Sequence, residues 1–212
     1  MKSNQNVIRI LIAEDHLIAR LGMAAIINAQ NDMRIVAEAI NGQEAIDLYR
    51  RHLPDVSLID VRMPVMDGLD AASAIHSEYP NAHMIAISTF GGDHDVRTAL
   101  DAGMQAYLNK DVLSNELINA IRVVHSGRTY LSRRAAASLD AKIPPPDLSP
   151  REIEVLNLIV QGLSNKQISY TLGIADYTVK NHVKNILNKL KVEDRTHATS
   201  VAIQRGIIHL DG

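Results

Sequence analysis

Cysteine is absent from all 212 residues. Disulfides, thiolate metal sites and cysteine nucleophiles are therefore excluded, and a reducing cytoplasm suits the chain. Tryptophan is also absent, phenylalanine occurs once, and aromatics make up only 3%. That scarcity suits aliphatic helix and strand cores and argues against an aromatic-rich recognition surface. Long apolar runs are missing too. The opening run VIRILIA, which precedes Glu14, is short and contains Arg9, so neither a signal peptide nor a membrane span is expected there. No G-x-G-x-x-G follows the first apolar run and no G-x-x-x-x-G-K-[ST] occurs, which leaves a nucleotide-binding reading without support.

What is present is 46% hydrophobic and 22% charged residues with a formal net charge of −2, a composition unlike that of disordered chains. The length suggests two small domains, each with a core. The charge is unevenly spread: residues 1–130 hold 11 Lys+Arg against 16 Asp+Glu, and residues 147–212 hold 8 against 7. Between these halves "AKIPPPDLSP" (141–150) holds four of the seven prolines. Consecutive prolines favour an extended spacer and bar helix and central strand. The expected organisation is a domain over 1–128, a linker over 129–146 and a second domain over 147–212, with a short connecting helix over 132–140.

Upstream of the linker, five apolar runs alternate with helix-period stretches: VIRILIA then 16–30, RIVAEA then 42–52, VSLID then 68–78, MIAIST then 93–103, and AYLNK then 113–126. Five strands interleaved with five helices imply right-handed crossovers, hence an α/β doubly wound (βα)5 parallel sheet covered on both faces. Downstream, the signals are helical only. Ser149, Pro150 and Glu152 form a capping box with proline at N1, and Ser164 with Gln167 repeats the box. Gly162 and Gly173 stop those two helices, a third spans about 176–191, and a fourth runs from about Arg195 to Arg205. An all-α four-helix domain follows.

Open parallel sheets bind ligands beyond the carboxyl ends of their strands. Glu14 and Asp15 end the first strand, Asp60 the third, Ser88 the fourth and Lys110 the fifth. Converging carboxylates repel one another, and a hard divalent cation such as Mg²⁺ relieves this with oxygen ligands. A carboxylate nucleophile, a metal, a hydroxyl and an ammonium together suit phosphoryl transfer. Any one of these acids reads equally well as a solvated loop residue; the weight lies in their joint occurrence. Asp93, His94 and Asp95 are three adjacent residues that cannot all aim at one ion, so they read as a solvated helix start. His16, beside the acidic pair, also reads as a helix-start residue.

The motifs "ILIAEDH", "SLIDVRMPVMDG", "IAIST" and "AYLNKD" resemble those of response-regulator receiver domains, over about residues 6–126. That resemblance implies Asp60 as phosphoacceptor, with Mg²⁺ held by Glu14, Asp15, Asp60 and the backbone carbonyl of Arg62. It implies phosphoryl contacts from Ser88 and Lys110, and a switch in which Tyr107 turns inward as Ser88 moves toward the phosphate. One departure is Gly91-Gly92 in "TFGGDHDV", which loosens the turn before the fourth helix.

The third helix of the second half, "DYTVKNHVKNILNKLKV", carries Lys180, Lys184, Lys189 and Lys191. At about 100° per residue, Val179, Val183, Ile186, Leu187 and Leu190 share a core-facing arc. Lys180, Lys184 and Lys191 make a narrow stripe beside it, adjoined by Tyr177, Asn181 and Asn188, while Lys189 lies apart with His182. Taken alone, this is an ordinary solvated amphipathic face, and without Trp or Phe it makes a poor membrane helix. The surrounding sequence, residues 148 to about 209, resembles the helix-turn-helix domain of the LuxR/FixJ type. The two halves together resemble the NarL/FixJ response regulators. That resemblance implies base-edge contacts from Lys180, Asn181 and Lys184, and phosphate contacts from Asn165, Lys166, Thr178 and Lys189. A departure is Ala175, where the family usually has a capping serine; whether Asp176 takes over by shifting the helix start one residue is left open by the sequence.

The implied function is a bacterial, cytoplasmic two-component response regulator that is not a metabolic enzyme. Mg²⁺-dependent phosphorylation of Asp60 by a sensor histidine kinase would control homodimerisation and binding to double-stranded DNA, with RNA polymerase as a further partner and no membrane. Other classes remain distinguishable. A phosphorylation-independent LuxR-type regulator would keep its operator affinity in Asp60→Asn. A phosphatase using an Asp nucleophile would carry D-x-D where this chain has "AEDH". A protein-interaction adaptor would lack salt-sensitive DNA binding.

Overall fold

The computed structural model describes residues 7–89, 91–111, 114–132, 135–136, 139 and 147–209. The chain forms two compact units, one holding residues up to 139 apart from the short stretch 92–95, the other holding 140–212. The connecting helix expected over 132–140 falls mostly, and the proline run 144–146 wholly, outside the described residues.

The first unit alternates β1 (Ile8–Ala13), α1 (Leu17–Asn28), β2 (Met33–Ala39), α2 (Gly42–His52), β3 (Val56–Asp60), α3 (Gly68–Glu78), β4 (Met84–Ser88), α4 (Asp93–Asp101), β5 (Ala106–Asn109) and α5 (Ser114–His125). All five expected strands and helices are present. A sixth strand, β6 (Tyr130–Leu131), pairs parallel with β5 inside the stretch read as linker. Two residues are too few to show a period, and only the exposed edge of β5 makes them a strand.

The sheet order is β2-β1-β3-β4-β5-β6, parallel throughout. Alternation along β1 splits the core: Ile10 and Ile12 pack in one cluster with Leu117, Ile121 and Val124 of α5, while Leu11 and Ala13 pack in the other with Ala45 and Tyr49 of α2. Successive strands are added to opposite sides of β1, β2 on one side and β3 on the other, and this switch in strand order opens a crevice at the carboxyl ends of β1 and β3. Glu14, Asp15 and Asp60 stand there.

The loop after β3 is tightly constrained. The Met66 N–H donates to the Pro64 carbonyl at 2.8 Å, a γ-turn that holds Val65 at φ 68, an uncommon conformation for a β-branched residue. Gly68 follows, where a Cβ would lie 1.9 Å from the Asp60 carbonyl oxygen. Only glycine lets α3 start this close to the end of β3.

The second unit consists of α6 (Pro150–Val160), α7 (Asn165–Leu172), α8 (Asp176–Leu190) and α9 (Arg195–Gln204). Both expected capping boxes form, Ser149 with Glu152 and Ser164 with Gln167. Gly173 ends α7 at φ 63, the left-handed C-cap that lacks a penalty only for glycine. Val179, Ile186 and Leu190 are buried with Val155, Leu156, Ile159 and Ile168, and Val183 and Leu187 pack partly against them.

The structure settles the start of α8. Asp176 does not take over the cap: Ala175 is the N-cap, with no side-chain cap hydrogen bond. Asp176 is the first helical residue, and its carboxylate pairs with Lys180 at 2.9 Å, an i,i+4 contact that competes with capping. Ala175→Ser is therefore expected to stabilise the second unit by about 1 kcal/mol, measurable as an upward shift of its thermal midpoint. An unchanged or lower midpoint would show that the helix start is already satisfied.

Candidate functional site

The ends of β1, β3 and β5 bring three of the expected residues into direct contact. The Lys110 ammonium lies 2.8 Å from Glu14 Oε2 and 2.8 Å from Asp60 Oδ2. Glu14 is wholly buried and Asp60 is 3% exposed. The Arg62 N–H donates to Asp60 Oδ1 at 3.2 Å. Ser88 is buried one register step beyond Ile87, the β4 partner of Asp60. Its carbonyl accepts from the Lys110 N–H at 2.7 Å, which ties the ends of β4 and β5 together. Tyr107, on β5, is fully buried.

These contacts set the electrostatics. Burial raises the Asp60 pKa to about 6 and the Glu14 charge adds to this, while the hydrogen bond and charge of Lys110 and the Arg62 N–H oppose it. Burial pushes Lys110 down, but its hydrogen bonds to Asp60 and Glu14 outweigh that and hold its pKa above the ordinary value. One carboxylate oxygen from each of Glu14, Asp15 and Asp60 and a ring nitrogen of His16 lie within 4.8 Å of one another. The carboxylates are the donor type a hard divalent cation takes. Asp15 Oδ1 is buried and accepts no hydrogen bond among the described residues, with His16 Nδ1 2.9 Å away.

Sequence reasoning set His16 aside and passed over Arg20. The Arg20 Nη1 donates to the Glu14 carbonyl at 2.6 Å, and its Nε lies 3.3 Å from Glu38 Oε2. The arginine thereby fixes the backbone that presents the acidic pair. Its signal was its spacing, four residues after His16 on a helix that leaves the strand end.

In the second unit, Lys180, Asn181 and Lys184 are exposed on α8, Lys166 is exposed on α7, and Asn165 and Thr178 are half-buried. A shallow groove of about 530 Å³ is lined by Asn165, Lys180, Val183, Lys184, Leu187 and Asn188, together with Val192 and Glu193. It joins the start of α7 to the exposed stripe of α8. Lys166 borders a separate depression beside Tyr170.

Lys189, the fourth residue expected to contact phosphate, is ion-paired within the second unit. Its ammonium lies 2.8 Å from Glu152 Oε2, and that carboxylate also accepts from the Ser149 N–H at 2.8 Å. Burial pushes the Glu152 pKa up, but Lys189 and Ser149 outweigh it and hold the group below its ordinary value. Lys189 therefore clamps the end of α8 to the start of α6.

Comparison with known proteins accounts for both units. Residues 10–122 match the response regulator receiver domain, and residues 146–202 match the luxR family of bacterial regulatory proteins. The chain belongs to the NarL/FixJ-type response regulators. This response regulator is 35% identical to the transcriptional regulatory protein LnrK of Bacillus subtilis, over 94% of this chain and 98% of that one. It is similar to the crystal structure of the response regulator ChrA of a heme-sensing two-component system, with a TM-score of 0.58 and 33% identity over 96% of this chain and all of that one. It also shares the fold of RcsB from Salmonella enterica serovar Typhimurium bound to a promoter, with a TM-score of 0.70 and 22% identity over 94% and 99% of the two chains. Among the described residues, no helix of the regulator is long and apolar enough to cross a membrane.

Proposed function

We propose that this response regulator is switched by Mg²⁺-dependent phosphorylation of Asp60, delivered in the bacterial cytoplasm by a sensor histidine kinase. The switch makes it dimerise and bind double-stranded DNA, where it meets RNA polymerase. The observation that carries this reading is the Lys110 ammonium held between Glu14 and Asp60, in a chain whose other half is a luxR-family domain.

The chemistry follows from those residues. An Asp60 oxygen attacks the phosphorus, forming a P–O bond as the bond to the leaving group breaks. Burial strips water from the carboxylate, and the ion pair to Lys110 aims it. Lys110 stands where it can exchange a carboxylate partner for a phosphoryl oxygen, and the Ser88 hydroxyl can donate to another. Glu14, Asp15, Asp60 and the Arg62 carbonyl would hold Mg²⁺. When bound, the ion would offset carboxylate repulsion and the charge on the phosphoryl oxygens. Movement of Ser88 toward that group, coupled to Tyr107, would bias the receiver toward a second state, provided the new charge binds that state better.

At the other end, Lys180, Asn181 and Lys184 would read base edges in the major groove, and Asn165, Lys166 and Thr178 would hold phosphates. The receiver, expected over 1–128, is extended to take in β6 (Tyr130–Leu131), and 147–212 is kept for the DNA-binding domain. The RcsB structure bound to a promoter in the presence of phosphomimetic BeF₃⁻ supports the same probe here. Wild-type chain with Mg²⁺ and beryllofluoride is expected to shift toward dimer in light scattering. It is also expected to bind a duplex selected from a random pool at least about tenfold more tightly, a change of roughly 1.4 kcal/mol. If mass and affinity both stay constant, DNA binding is independent of phosphorylation.

A further inference from the structure

Of the six tyrosines, four are buried or half-buried, while Tyr170 on α7 is 92% exposed and Tyr177 on α8 is 73% exposed. Only Tyr177 shares a helix with Lys180, Asn181 and Lys184. It is the second residue of that helix, and at about 100° per residue Asn181, Lys184 and Asn188 fall within about 40° of it around the axis. The four form one row with the tyrosine at its head. Val179, Ile186 and Leu190 fill the core from the far side of the helix, so packing makes no use of the ring. Helical side chains lean toward the N-terminus, which carries the Tyr177 ring toward the end of α8 that meets base edges when such a helix lies in a major groove.

We infer that Tyr177 reads thymine, with its ring packed on the C5-methyl in the major groove and its hydroxyl donating to an adjacent phosphate. The inference rests on the DNA-binding reading above and goes beyond it by naming a base. Lysine and asparagine recognise the hydrogen-bonding edges of guanine and adenine, whereas the thymine methyl is an apolar feature that takes an apolar partner. The exposed ring is the large apolar group on this row, and covering the methyl removes both from water. At about 1.5 Å per residue, Tyr177 stands about 6 Å along the axis from Asn181 and about 10.5 Å from Lys184. Base pairs are about 3.4 Å apart, so the thymine falls about two pairs from the base that Asn181 reads and about three from that of Lys184.

The test uses the full chain with Mg²⁺ and beryllofluoride, a duplex selected from a random pool, and copies of it in which single thymines become deoxyuridine, which lacks only the methyl. At one thymine in each half-site the wild type is expected to lose about fourfold in affinity, the worth of one buried methyl. Tyr177→Ala should bind the thymine and deoxyuridine duplexes equally. Tyr177→Phe should keep the preference and lose up to about tenfold on both alike, through the missing hydroxyl. Circular dichroism checks that each variant is folded. If the wild type binds the selected duplex but no deoxyuridine weakens it, or if Tyr177→Ala stays as sensitive as the wild type, the role of Tyr177 is overturned and the DNA-binding reading stands. No duplex binding by the wild type even at low salt would overturn both.

Discussion

Asp60→Asn is expected to abolish phosphoryl incorporation from acetyl phosphate while raising the thermal stability of the receiver. The first effect is complete, because an amide does not attack phosphorus at the rate of a carboxylate. Radiolabel or intact mass measures it, and a labelled Asn variant would move the phosphoacceptor to another residue. The second effect has a definite sign. Asp60 titrates near 6 in the folded chain, against 3.8 ordinarily, so the folded state binds the extra proton between those values. Without metal, stability therefore falls as pH rises through that window, and above it the ionised group leaves the fold weaker by on the order of 3 kcal/mol. Asparagine has no charge to bury and removes that penalty, and Lys110 keeps Glu14 as its partner. The midpoint should rise by several degrees at pH 7 and by little at pH 4. Phosphorylation of the wild type with Mg²⁺ should fall as pH drops below about 6, because protonation removes the nucleophile and the nearby positive charge keeps the carboxylate ionised to lower pH. A midpoint in the variant that is equal or lower at pH 7 would show that the Lys110 pairing outweighs burial.

Lys184→Ala is expected to weaken binding to a selected duplex by about 1–3 kcal/mol, roughly tenfold to a hundredfold, and to relax preference at the base it reads. Lys180→Ala should behave likewise but lose less, because its ammonium is paired with Asp176 in the free chain and must break that pair to reach a base. Lys166→Ala makes the contrast. Removing an ammonium that neutralises a phosphate should weaken all sequences alike and flatten the slope of log affinity against log salt by about 0.9. Fluorescence anisotropy across salt concentrations separates these patterns. If Lys184→Ala lowers affinity for every sequence equally, Lys184 meets phosphate, and the reading face of α8 lies elsewhere.

The two sets of residues differed in how far the sequence exposed them. Acids, a hydroxyl and a lysine at strand ends could be read because a parallel sheet places strand ends together whatever its loops do. The core stripe of α8 could be read because its period is local. Lys189 could not: its charge looked available until the packing of α6 against α8 brought buried Glu152 within 2.8 Å. The cap of α8 was left open for a similar reason. Asp176 had the chemistry to cap, but its place as the first helical residue gave its carboxylate a partner one turn along.

By itself, then, the sequence determined the order of elements, the two-part architecture, the placing of Asp60 and its polar neighbours at strand ends, and the exposed stripe of α8. Each follows from local periodicity, turn chemistry or position along a strand, which neighbouring residues settle among themselves. The tertiary structure decided the pairing of Lys110 with Glu14 and Asp60, the edge strand β6, the engagement of Lys189 with Glu152, and the turn of the His16 ring toward the acidic pair. Those depend on which side chains meet across tens of residues or share one crevice, and burial then determines what their charges cost.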